Sequence, residues 1–478
     1  MIFEEFGLKI ASNLPFLPNM CQRVAIERLS AFLLSPPGGR DRVFVLRGYA
    51  GTGKTSLVGA LVRTMTELRM PVRLMAPTGR AAKVFAGMAG RQALTIHKTI
   101  YRQRRFAVEP EGFGLMDNKA VGTLFVCDEA SMIPTLSERS AFGTGSLLDD
   151  LVEFVYGGED CRLLLVGDVA QLPPVGQSES AALMPSRLRG YGLEVAEAEL
   201  TEVARQQLAS GILSNATELR RRIAAGEVDA LPHIIYRRYA DVRRVDGLTL
   251  VDELAGSYSR EGLDETILIT RSNARANRFN LGIRNSILER EEELAAGDRL
   301  LVVRNNYFWG QEVERLPFVA NGDMMVVQRV RYEEELYGFR FARVEVLLPD
   351  YELELDVIVL LDALLAEGPS LTVADRQRLF AAVMEDYADL PSQRDRIKAV
   401  RANPYFNALE VKYGYAVTCH KSQGGQWQDV YLDLAYINPD HLGLDFYRWL
   451  YTAFTRARKT LFLVNASDDM TEDARKTE

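Results

Sequence analysis

One octapeptide, Gly48-Tyr-Ala-Gly-Thr-Gly-Lys-Thr55, connects a short apolar run at residues 43–47 to a helical pattern at residues 54–67. Glycines allow a tight turn and the close approach of phosphate, and the N-terminus of the following helix presents free N–H donors. This pattern in a strand–turn–helix context predicts a phosphate-binding P-loop. We expect Lys54 to pair with the β- and γ-phosphates of ATP, and Thr55 to bind Mg²⁺.

The chain around the P-loop alternates buried strands with helices. Apolar runs recur at residues 72–76, 123–127 and 162–166, each bounded by turn-forming or small residues. Helical patterns lie between several of these runs. Buried strands that alternate with helices imply a parallel α/β sheet. Residues 1–200 are therefore predicted to form one nucleotide-binding domain.

A second set of apolar runs predicts another α/β unit. These runs occupy residues 266–270, 415–419, 429–433 and 460–464. The chain between them has antiparallel β patterns at 298–304, 324–330 and 340–348, a turn at Asn321-Gly322-Asp323, and a charged helical pattern at 372–402. We expect residues 201–296 and 411–478 to form the second α/β domain, and residues 297–410 to be an insertion into it.

An Asp-Glu pair follows the apolar run that ends at Cys127. Hydrolysis of ATP requires a second carboxylate on the magnesium side and a group that orients water. Asp128 is expected to hold Mg²⁺ through its hydration shell, and Glu129 to polarise the attacking water. The pair extends the prediction from nucleotide binding to nucleotide hydrolysis.

The chain has 478 residues, of which 47% are hydrophobic and 26% charged. This composition is that of an ordinary globular protein. The N-terminus lacks the pattern of a signal peptide, and no apolar run approaches the ~18 residues of a membrane span. Four scattered cysteines argue against a zinc ribbon or a disulfide framework, so we expect a cytoplasmic protein. A net charge of -8 gives no support for nucleic-acid binding, although an acidic protein can still line one channel with Lys and Arg.

The order of further motifs resembles superfamily 1 helicases, and within them the RecD-like and Dda-like branch. The resemblance runs from about residue 19 to residue 464. The stretches that carry it are Asn19–Gln22, Gly48–Thr55, Ala76–Lys83, Thr95–Lys98, Asp128–Ser131, Gly167–Pro174, Leu200–Gln206, Thr418–Gly424 and Tyr451–Ala457. In that order they resemble the Q motif and motifs I, Ia, Ib, II, III, IV, V and VI.

The resemblance implies a nucleotide site built by both halves of the chain. Gln22 would read adenine, Gln171 would sense the γ-phosphate, and two arginines would stabilise charge on it. The expected catalytic residues are Lys54, Glu129, Gln171, Arg205 and Arg456. The expected ATP-binding residues are Gln22, Gly51, Thr52, Gly53, Lys54, Thr55, Ser56 and Gly424, with Thr55 and Asp128 as the magnesium ligands.

The family fold is α/β: two RecA-like P-loop NTPase domains, a small β-hairpin (pin) insertion in the first and an SH3-like β-barrel insertion in the second. Residues 102–121 would form the pin, with an ordinary surface loop as the alternative. The charged segment within about 351–408 is longer than in compact relatives. It could be a tower contacting the pin, a partner surface, or simply a solvated helix, which is our default expectation.

A strand-binding groove is also implied by the resemblance. Its expected residues are Pro77, Thr78, Arg80, Lys83, His97, Lys98, Thr418, His420 and Lys421. A lone histidine is more often structural than functional, but His97 and His420 each stand in a Thr-x-His-Lys setting. Stacking aromatics cannot be assigned from spacing.

The resulting expectation is an ATP-driven DNA helicase that travels 5′-to-3′ on single-stranded DNA and separates duplex DNA. Its partners would be single-stranded and forked DNA, with single-strand-binding, repair or replication proteins as possible further partners. The motor would act as a monomer and would not bind a membrane. We expect a bacterial or phage-like protein. Three alternatives stay open: a translocase that separates no duplex, an RNA helicase with the same motor, and a nucleotide-gated binding scaffold.

Overall fold

The computed structural model describes residues 3–36, 40–103, 113–135, 143–202, 209–310, 313, 316, 318–368, 370–437 and 442–471. Within these ranges the chain forms two parallel sheets, one closed barrel and one small hairpin. No helix in the described part of the chain has both the length and the apolar composition needed to cross a bilayer.

The first domain is built on a six-stranded parallel sheet of order β3-β2-β6-β7-β1-β8. Its strands are β1 (Arg42–Gly48), β2 (Val72–Ala76), β3 (Ala93–Thr95), β6 (Leu124–Cys127), β7 (Arg162–Gly167) and β8 (Glu194–Leu200). All residues of β6 and β7 are buried, because helices cover both faces of the sheet. The separate pair β4 (Tyr101–Gln103) and β5 (Phe113–Leu115) is antiparallel.

Seven helices surround this sheet in the described residues. They are α1 (Phe3–Ser12), α2 (Met20–Leu34), α3 (Lys54–Glu67), α4 (Gly79–Ala89), α5 (Ile96–Ile100), α6 (Leu147–Tyr156) and α7 (Pro185–Gly190). Short 3₁₀ turns follow β6 at Ala130–Met132 and precede α7 at Ala181–Leu183. The P-loop occupies the turn between central strand β1 and α3, so phosphate would meet the amino end of α3.

The second domain is a five-stranded parallel sheet of order β16-β10-β17-β18-β9. Its strands are β9 (Val242–Val245), β10 (Thr266–Thr270), β16 (Ala416–Thr418), β17 (Trp427–Asp433) and β18 (Ala457–Val464). Its helices are α8 (Gly211–Ala225), α9 (Leu250–Glu261), α10 (Asn273–Ser286), α14 (Cys419–Ser422) and α15 (Leu444–Phe454), with 3₁₀ turns at Leu263–Glu265 and Asp468–Met470.

The barrel interrupts the second domain between α10 and β16. Its strands are β11 (Arg299–Val302), β12 (Met324–Leu336), β13 (Phe339–Leu348), β14 (Leu353–Leu360) and β15 (Leu409–Tyr413). Closure comes from β15, which pairs antiparallel with β11 and parallel with β14. Three helices separate β14 from β15, namely α11 (Leu361–Leu365), α12 (Val373–Glu385) and α13 (Gln393–Ala402).

A buried ion pair joins the barrel to the second sheet. Arg284 of α10 makes a two-pronged contact with Asp298, from Nε (3.0 Å) and from a terminal nitrogen (2.9 Å). Tyr415 and Arg290 also hydrogen-bond to the same carboxylate. Although burial opposes ionisation, these donors hold the pKa of Asp298 below its usual value.

The predicted fold class is confirmed, and the structure adds strands that the pattern did not show. β3 has three residues, and β8 alternates glutamate with apolar residues, so neither presents a continuous apolar run. The charged segment at 372–402 forms two helices rather than one solvated helix. Leu379, Val383 and Val400 of these helices are buried against barrel residues such as Phe341.

The pin prediction falls partly outside the described residues. β4 and β5 form the base of a hairpin, in which Tyr101 pairs with Leu115 and Arg102 with Gly114. The Tyr101 hydroxyl donates to Asp150 of α6 (2.5 Å), which fixes this base to the first domain. Residues 104–112, the predicted tip, lie outside the described ranges.

Candidate nucleotide cleft and strand groove

A cleft of about 430 Å³ lies where the two α/β domains meet. The first domain contributes the P-loop, the Asp128-Glu129 pair and Gln171, and the second contributes the start of α8 and the segment around Arg456. The lining residues are Phe16, Gln22, Tyr49, Ala50, Gly51, Gly53, Lys54, Thr55, Ser56, Met88, Asp128, Glu129, Gly167, Gln171, Ser210, Ile212, Leu213, Gln426, Thr455, Arg456, Ala457 and Arg458.

The P-loop turn is held against Gln22. Gly53 has a φ of +84°, and a Cβ there would lie 2.7 Å from Gln22 Nε2, so only glycine fits. That amide nitrogen donates to the carbonyl of Thr52 (3.0 Å), while Gln22 Oε1 accepts from the N–H of Asn19 (3.1 Å). Gln22 therefore caps α2 and shapes the P-loop with the side chain predicted to read adenine.

Two further P-loop side chains make bonds within the loop. Thr52 is buried, and its hydroxyl donates to the carbonyl of Tyr49 (2.7 Å). Lys54 Nζ donates to the carbonyls of Gly48 (2.6 Å) and Tyr49 (3.0 Å). The Lys54 ammonium group therefore lies over the P-loop turn. The predicted phosphates would bind there, between Lys54 and the N-terminus of α3.

The carboxylates of Asp128 and Glu129 face the cleft beside Lys54. Burial raises the pKa of Asp128 to about 7, and the charge of Glu129 adds to this rise, while a bond from the Glu129 N–H and the charge of Lys54 oppose it. A buried carboxylate with this balance is stabilised in its ionised form by a nearby cation. Asp128 and the hydroxyl of Thr55 are hard oxygen donors on one cleft wall, which is the ligand chemistry that Mg²⁺ prefers.

Glu129 has an unusual backbone. Its φ of +52° lies in the left-handed region, which costs a residue with a side chain about 1 kcal/mol or more. This conformation starts the 3₁₀ turn Ala130–Met132 and presents the Glu129 carboxylate to the cleft. The strain is retained at the residue predicted to orient water, as is common at functional sites.

Gln171 and Arg456 approach this carboxylate region from different domains. Gln171 is 5% exposed, and its Oε1 has no hydrogen-bond partner among the described atoms although it is buried. A buried acceptor at the cleft wall suits a water molecule or a substrate group. The Arg456 guanidinium lies 4.0 Å from Glu129 Oε1 and is fixed by the carbonyls of Thr452 and Gly425.

Two predicted nucleotide residues outside the P-loop are not placed in the cleft, and within the P-loop the buried Thr52 does not line it. Arg205 falls within residues 203–208, outside the described ranges. Gly424 is described but packs against α4, since a Cβ there would lie 2.8 Å from Ala81 Cβ and 3.0 Å from Thr78 Oγ1. Its neighbour Gln426 lines the cleft instead.

Side chains of the second domain bind the backbone of the first at the cleft floor. The Leu172 N–H donates to Thr452 Oγ1 (2.9 Å), and the Leu172 carbonyl accepts from Gln423 Nε2 (2.8 Å). Both atoms of this peptide position are thus satisfied across the domain boundary, one residue after Gln171. The loop that carries Gln171 is therefore held by both predicted motifs V and VI.

The predicted groove residues lie on the ends of strands and the starts of helices. Thr78 caps α4 through the Ala81 N–H (3.2 Å), and Thr95 caps α5 through the Lys98 N–H (3.2 Å). Pro77 stands directly before Thr78, so the first loop enters α4 at this cap. Thr418 ends β16 and His420 is exposed on α14.

Two of the predicted contacts are packed within the protein. The Arg80 guanidinium lies 4.0 Å from the centre of the Trp427 ring, which joins the first domain to the second. The His97 ring lies 5.6 Å from the Tyr101 ring and 6.3 Å from the Phe318 ring. Burial lowers the pKa of His97 to about 4, so its imidazole is uncharged near neutral pH.

Three groove lysines contact two loops of the barrel, residues 320–323 and 349–351, which we call the barrel loops. Lys83 Nζ donates to the Pro349 carbonyl (2.9 Å) and lies 3.4 Å from Asp350 Oδ1. Lys98 Nζ lies 3.7 Å from the centre of the Tyr351 ring. The third lysine contacts the other barrel loop, where Lys421 Nζ donates to Asn321 Oδ1.

The barrel loops are themselves joined by a buried carboxylate. The Tyr351 hydroxyl donates to Asp323 Oδ1 (2.9 Å), and burial raises the pKa of Asp323 to about 6. A Cβ at Gly79 would lie 2.6 Å from the Tyr351 hydroxyl, so the barrel approaches the first domain closely at α4. Sequence reasoning missed Tyr351, because its place in the groove depends on how the barrel docks.

Other residues missed from sequence line the cleft itself. Phe16 and Met88 of the first domain and Arg458 of the second are cleft residues, although none stands out by type or spacing. Tyr451 and Asp168 are different, because both stand inside stretches quoted above. Their motif positions were a signal, but the contacts they make could be found only in three dimensions.

Comparison with known proteins gives matches over both halves of the chain. A family model described as an AAA domain matches residues 37–238, and one described as the UvrD-like helicase C-terminal domain matches residues 413–464. The first match contains the P-loop and the Asp128-Glu129 pair, and the second contains Arg456.

Two curated relatives match much of the chain. The ATP-dependent RecD2 DNA helicase of Deinococcus radiodurans is 26% identical over 433 residues, which cover 88% of this chain and 46% of the relative. The chain therefore spans about half of that protein's length. The ATP-dependent DNA helicase dda of Enterobacteria phage T4 is 24% identical over 329 residues, covering 65% of this chain and 68% of the relative.

Solved helicase structures also align with the chain. The Pif1 helicase from Bacteroides in complex with ADP-AlF3 and ssDNA aligns with a TM-score of 0.45 and 15% identity, covering 96% of this chain and 95% of that one. The Pif1 helicase from Candida albicans aligns with a TM-score of 0.45 and 15% identity, covering 96% and 97%.

The geometry at Glu129 predicts a separation of binding from turnover. Glu129→Gln keeps the size of the side chain but removes the charge that polarises water, so ATP hydrolysis is expected to fall at least about 100-fold. Nucleotide binding should be retained, because Lys54 and the P-loop backbone are unchanged. Steady-state hydrolysis and titration with a fluorescent ATP analogue measure the two effects, and a variant that hydrolyses ATP at the parent rate would contradict the assignment.

Proposed function

Because the chain belongs to the SF1B branch of the superfamily 1 helicases, we propose that it uses ATP hydrolysis to move along single-stranded DNA and to separate duplex DNA. The observation that carries this proposal is the composition of the cleft. Lys54, Glu129 and Gln171 of one domain face Arg456 of the other across one cavity. The names of the RecD2 and dda relatives support DNA as the substrate.

In the proposed reaction, the residues of the first domain bind and orient ATP. Lys54 and the amino end of α3 hold the phosphates, and Glu129 orients and polarises the attacking water. Thr55 and Asp128 would hold Mg²⁺, which neutralises charge on the phosphate oxygens when bound. Gln171, whose buried Oε1 has no partner among the described atoms, would accept a hydrogen bond from the water.

The second domain completes the site through Arg456. A guanidinium that reaches the γ-phosphate stabilises the charge that develops in the transition state, with rate effects of about 10³–10⁵ in related phosphoryl transfers. Arg456 follows the end of α15 in the second domain, so its distance from the phosphate would depend on how far the cleft is closed. Hydrolysis would therefore depend on the relative position of the two domains.

Movement along DNA would follow from opening and closing of the cleft. The predicted groove residues lie on both domains, with Thr78 and Lys98 on the first and Thr418 and Lys421 on the second. A strand bound to both sets would be drawn along as the distance between them changes. Lys and Arg contacts to the phosphate backbone would make this binding dependent on salt.

The direction of travel separates branches of the family. We propose 5′-to-3′ movement, as the RecD-like resemblance implies. Two forked substrates test this, one with a single 5′ tail and one with a single 3′ tail of the same sequence. We expect ATP-dependent unwinding of the 5′-tailed duplex only, whereas preference for the 3′ tail would contradict the proposed polarity. Matched RNA forks separate a DNA helicase from an RNA helicase.

The hairpin whose base is β4 and β5 is the proposed strand separator. Separating strands costs ~1.4 kcal/mol per base-pair step. A pin inserted at the fork would prevent the opened pair from re-forming. Deleting residues 104–114 should abolish unwinding and leave DNA-stimulated ATP hydrolysis within about twofold of the parent, because the cleft is unchanged. Gel separation of fork products and a phosphate-release assay measure both activities. Unwinding by the deletion variant would overturn the role of the pin.

A further inference from the structure

The hydroxyl of Tyr451 reaches the first domain although the residue belongs to the second. Tyr451 is 1% exposed near the end of α15. Its hydroxyl donates to Asp168 Oδ2 (2.6 Å) and accepts from the backbone N–H of Ala50 (2.9 Å). One oxygen atom of the second domain therefore bonds both the P-loop and the loop that carries Gln171.

Asp168 is a buried carboxylate, so its hydrogen bond from Tyr451 matters for its ionised form. The residue is 1% exposed, and its other carboxylate oxygen accepts from the Ala170 N–H (2.9 Å). Burial raises the pKa of Asp168, while the charge of Lys54 and the hydrogen bond from Tyr451 oppose that rise. A hydrogen bond to a buried charged group is among the stronger ones, so its loss is costly.

The same segment of the second domain carries Arg456. The next residue after Tyr451, Thr452, accepts from the Leu172 N–H and also fixes Arg456 Nε through its carbonyl (3.1 Å). The end of α15 is thereby held against the first domain at two adjacent positions. Displacement of this helix end would move the Arg456 guanidinium away from the cleft.

We propose that Tyr451 is a positioning residue that aligns Arg456 with the nucleotide by bonding Asp168 and the P-loop. It acts on hydrolysis only through the position of α15. The proposal deepens the proposed function and rests on it. ATP binding itself depends on the first domain, whereas the rate of hydrolysis depends on this alignment.

Tyr451→Phe tests the proposal because it keeps the ring and removes only the hydroxyl. We expect kcat for DNA-stimulated ATP hydrolysis to fall about tenfold, the order of effect for one lost hydrogen bond to a buried charge. The KM for ATP should stay within about twofold of the parent, because the P-loop bonds made by Gln22, Thr52 and Lys54 do not involve Tyr451. Hydrolysis is measured with saturating single-stranded DNA, below the melting temperature of each variant.

Tyr431→Phe is the matched control. Tyr431 is also fully buried, and its hydroxyl bonds to Ser257 and to the Glu253 carbonyl within the second domain. This variant should show a comparable loss of thermal stability with kcat within about twofold of the parent. A parental kcat in Tyr451→Phe, or an equal fall in both variants, would overturn the proposal. A parent protein without DNA-stimulated hydrolysis would instead refute the proposed function.

A second inference concerns the barrel loops, residues 320–323 and 349–351. They contact three lysines predicted to bind the strand, through a carbonyl and a carboxylate at Lys83, a ring face at Lys98 and an amide oxygen at Lys421. Oxygen acceptors of this kind occupy the positions around an ammonium group that phosphate oxygens would take. Burial also lowers the pKa of Lys98 to about 8, so its environment disfavours the protonated, charged form.

We infer that the barrel loops compete with the DNA backbone for these lysines. A bound strand would have to displace the Pro349 carbonyl, Asp350 and Tyr351 before it reached the groove cations. The contacts are individually weak, since Lys83 is 52% exposed and an exposed ion pair contributes little. Competition would therefore lower the affinity for DNA without preventing binding. The inference rests on the proposed strand groove.

The double variant Asp350→Ala/Tyr351→Ala should bind single-stranded DNA about threefold to tenfold more tightly than the parent, because two competitors are removed. Fluorescence anisotropy with a labelled oligonucleotide, without ATP and at two salt concentrations, measures this change. Lys83→Ala should weaken binding. It should also reduce the slope of the logarithm of the binding constant against the logarithm of salt concentration by about one.

Glu335→Ala controls for the change in net charge. Glu335 is exposed near the far end of β12, at the opposite end of this strand from Asp323, so its removal should leave affinity nearly unchanged. Unchanged or weaker binding by the double variant would overturn the inference, and weaker binding would make Tyr351 a strand contact. If the parent binds no single-stranded DNA, the proposed function fails first.

Discussion

Buried and half-buried backbone groups at the carboxyl edge of the first sheet obtain their hydrogen-bond partners from the second domain. The Leu172 peptide is satisfied by Thr452 and Gln423, and the Ala50 N–H by Tyr451. An unpaired buried backbone group costs about as much as a lost hydrogen bond, so these contacts hold the domains together at one edge. The cleft exists because that edge is shared, and the placement of Glu129 opposite Arg456 depends on it.

Local pattern led to the P-loop and the Asp128-Glu129 pair, which line one wall of the cleft. The P-loop, Asp128 and Glu129 follow buried strands, and parallel strands bring their carboxyl ends to one edge. Gln22 was predicted from its motif, but its bond to the Thr52 carbonyl was not. Arg456 came from a resemblance, because no rule of spacing selects one arginine from many. The match of residues 413–464 to the UvrD-like helicase C-terminal domain supports that choice without fixing the role of the residue.

The contacts that could not be predicted from the sequence form where distant segments of the chain dock. Tyr451 is separated from Ala50 by 401 positions, and Lys83 from Pro349 by 266, so neither contact leaves a local pattern. The charged helices α12 and α13 illustrate the opposite error. Their many charges predicted a solvated surface, yet Leu379, Val383 and Val400 suffice to pack one face on the barrel. Charge counts describe the outer face of a helix better than the buried one.

We propose that ATP turns over in a site that two domains complete and that a bound strand brings into alignment. The most direct measurement is the rate of ATP hydrolysis at saturating ATP, with and without a single-stranded DNA oligonucleotide. We expect a stimulation of at least about tenfold, equivalent to about 1.4 kcal/mol of transition-state stabilisation. Equal rates with and without DNA would contradict it, because the cleft would then be complete without a bound strand.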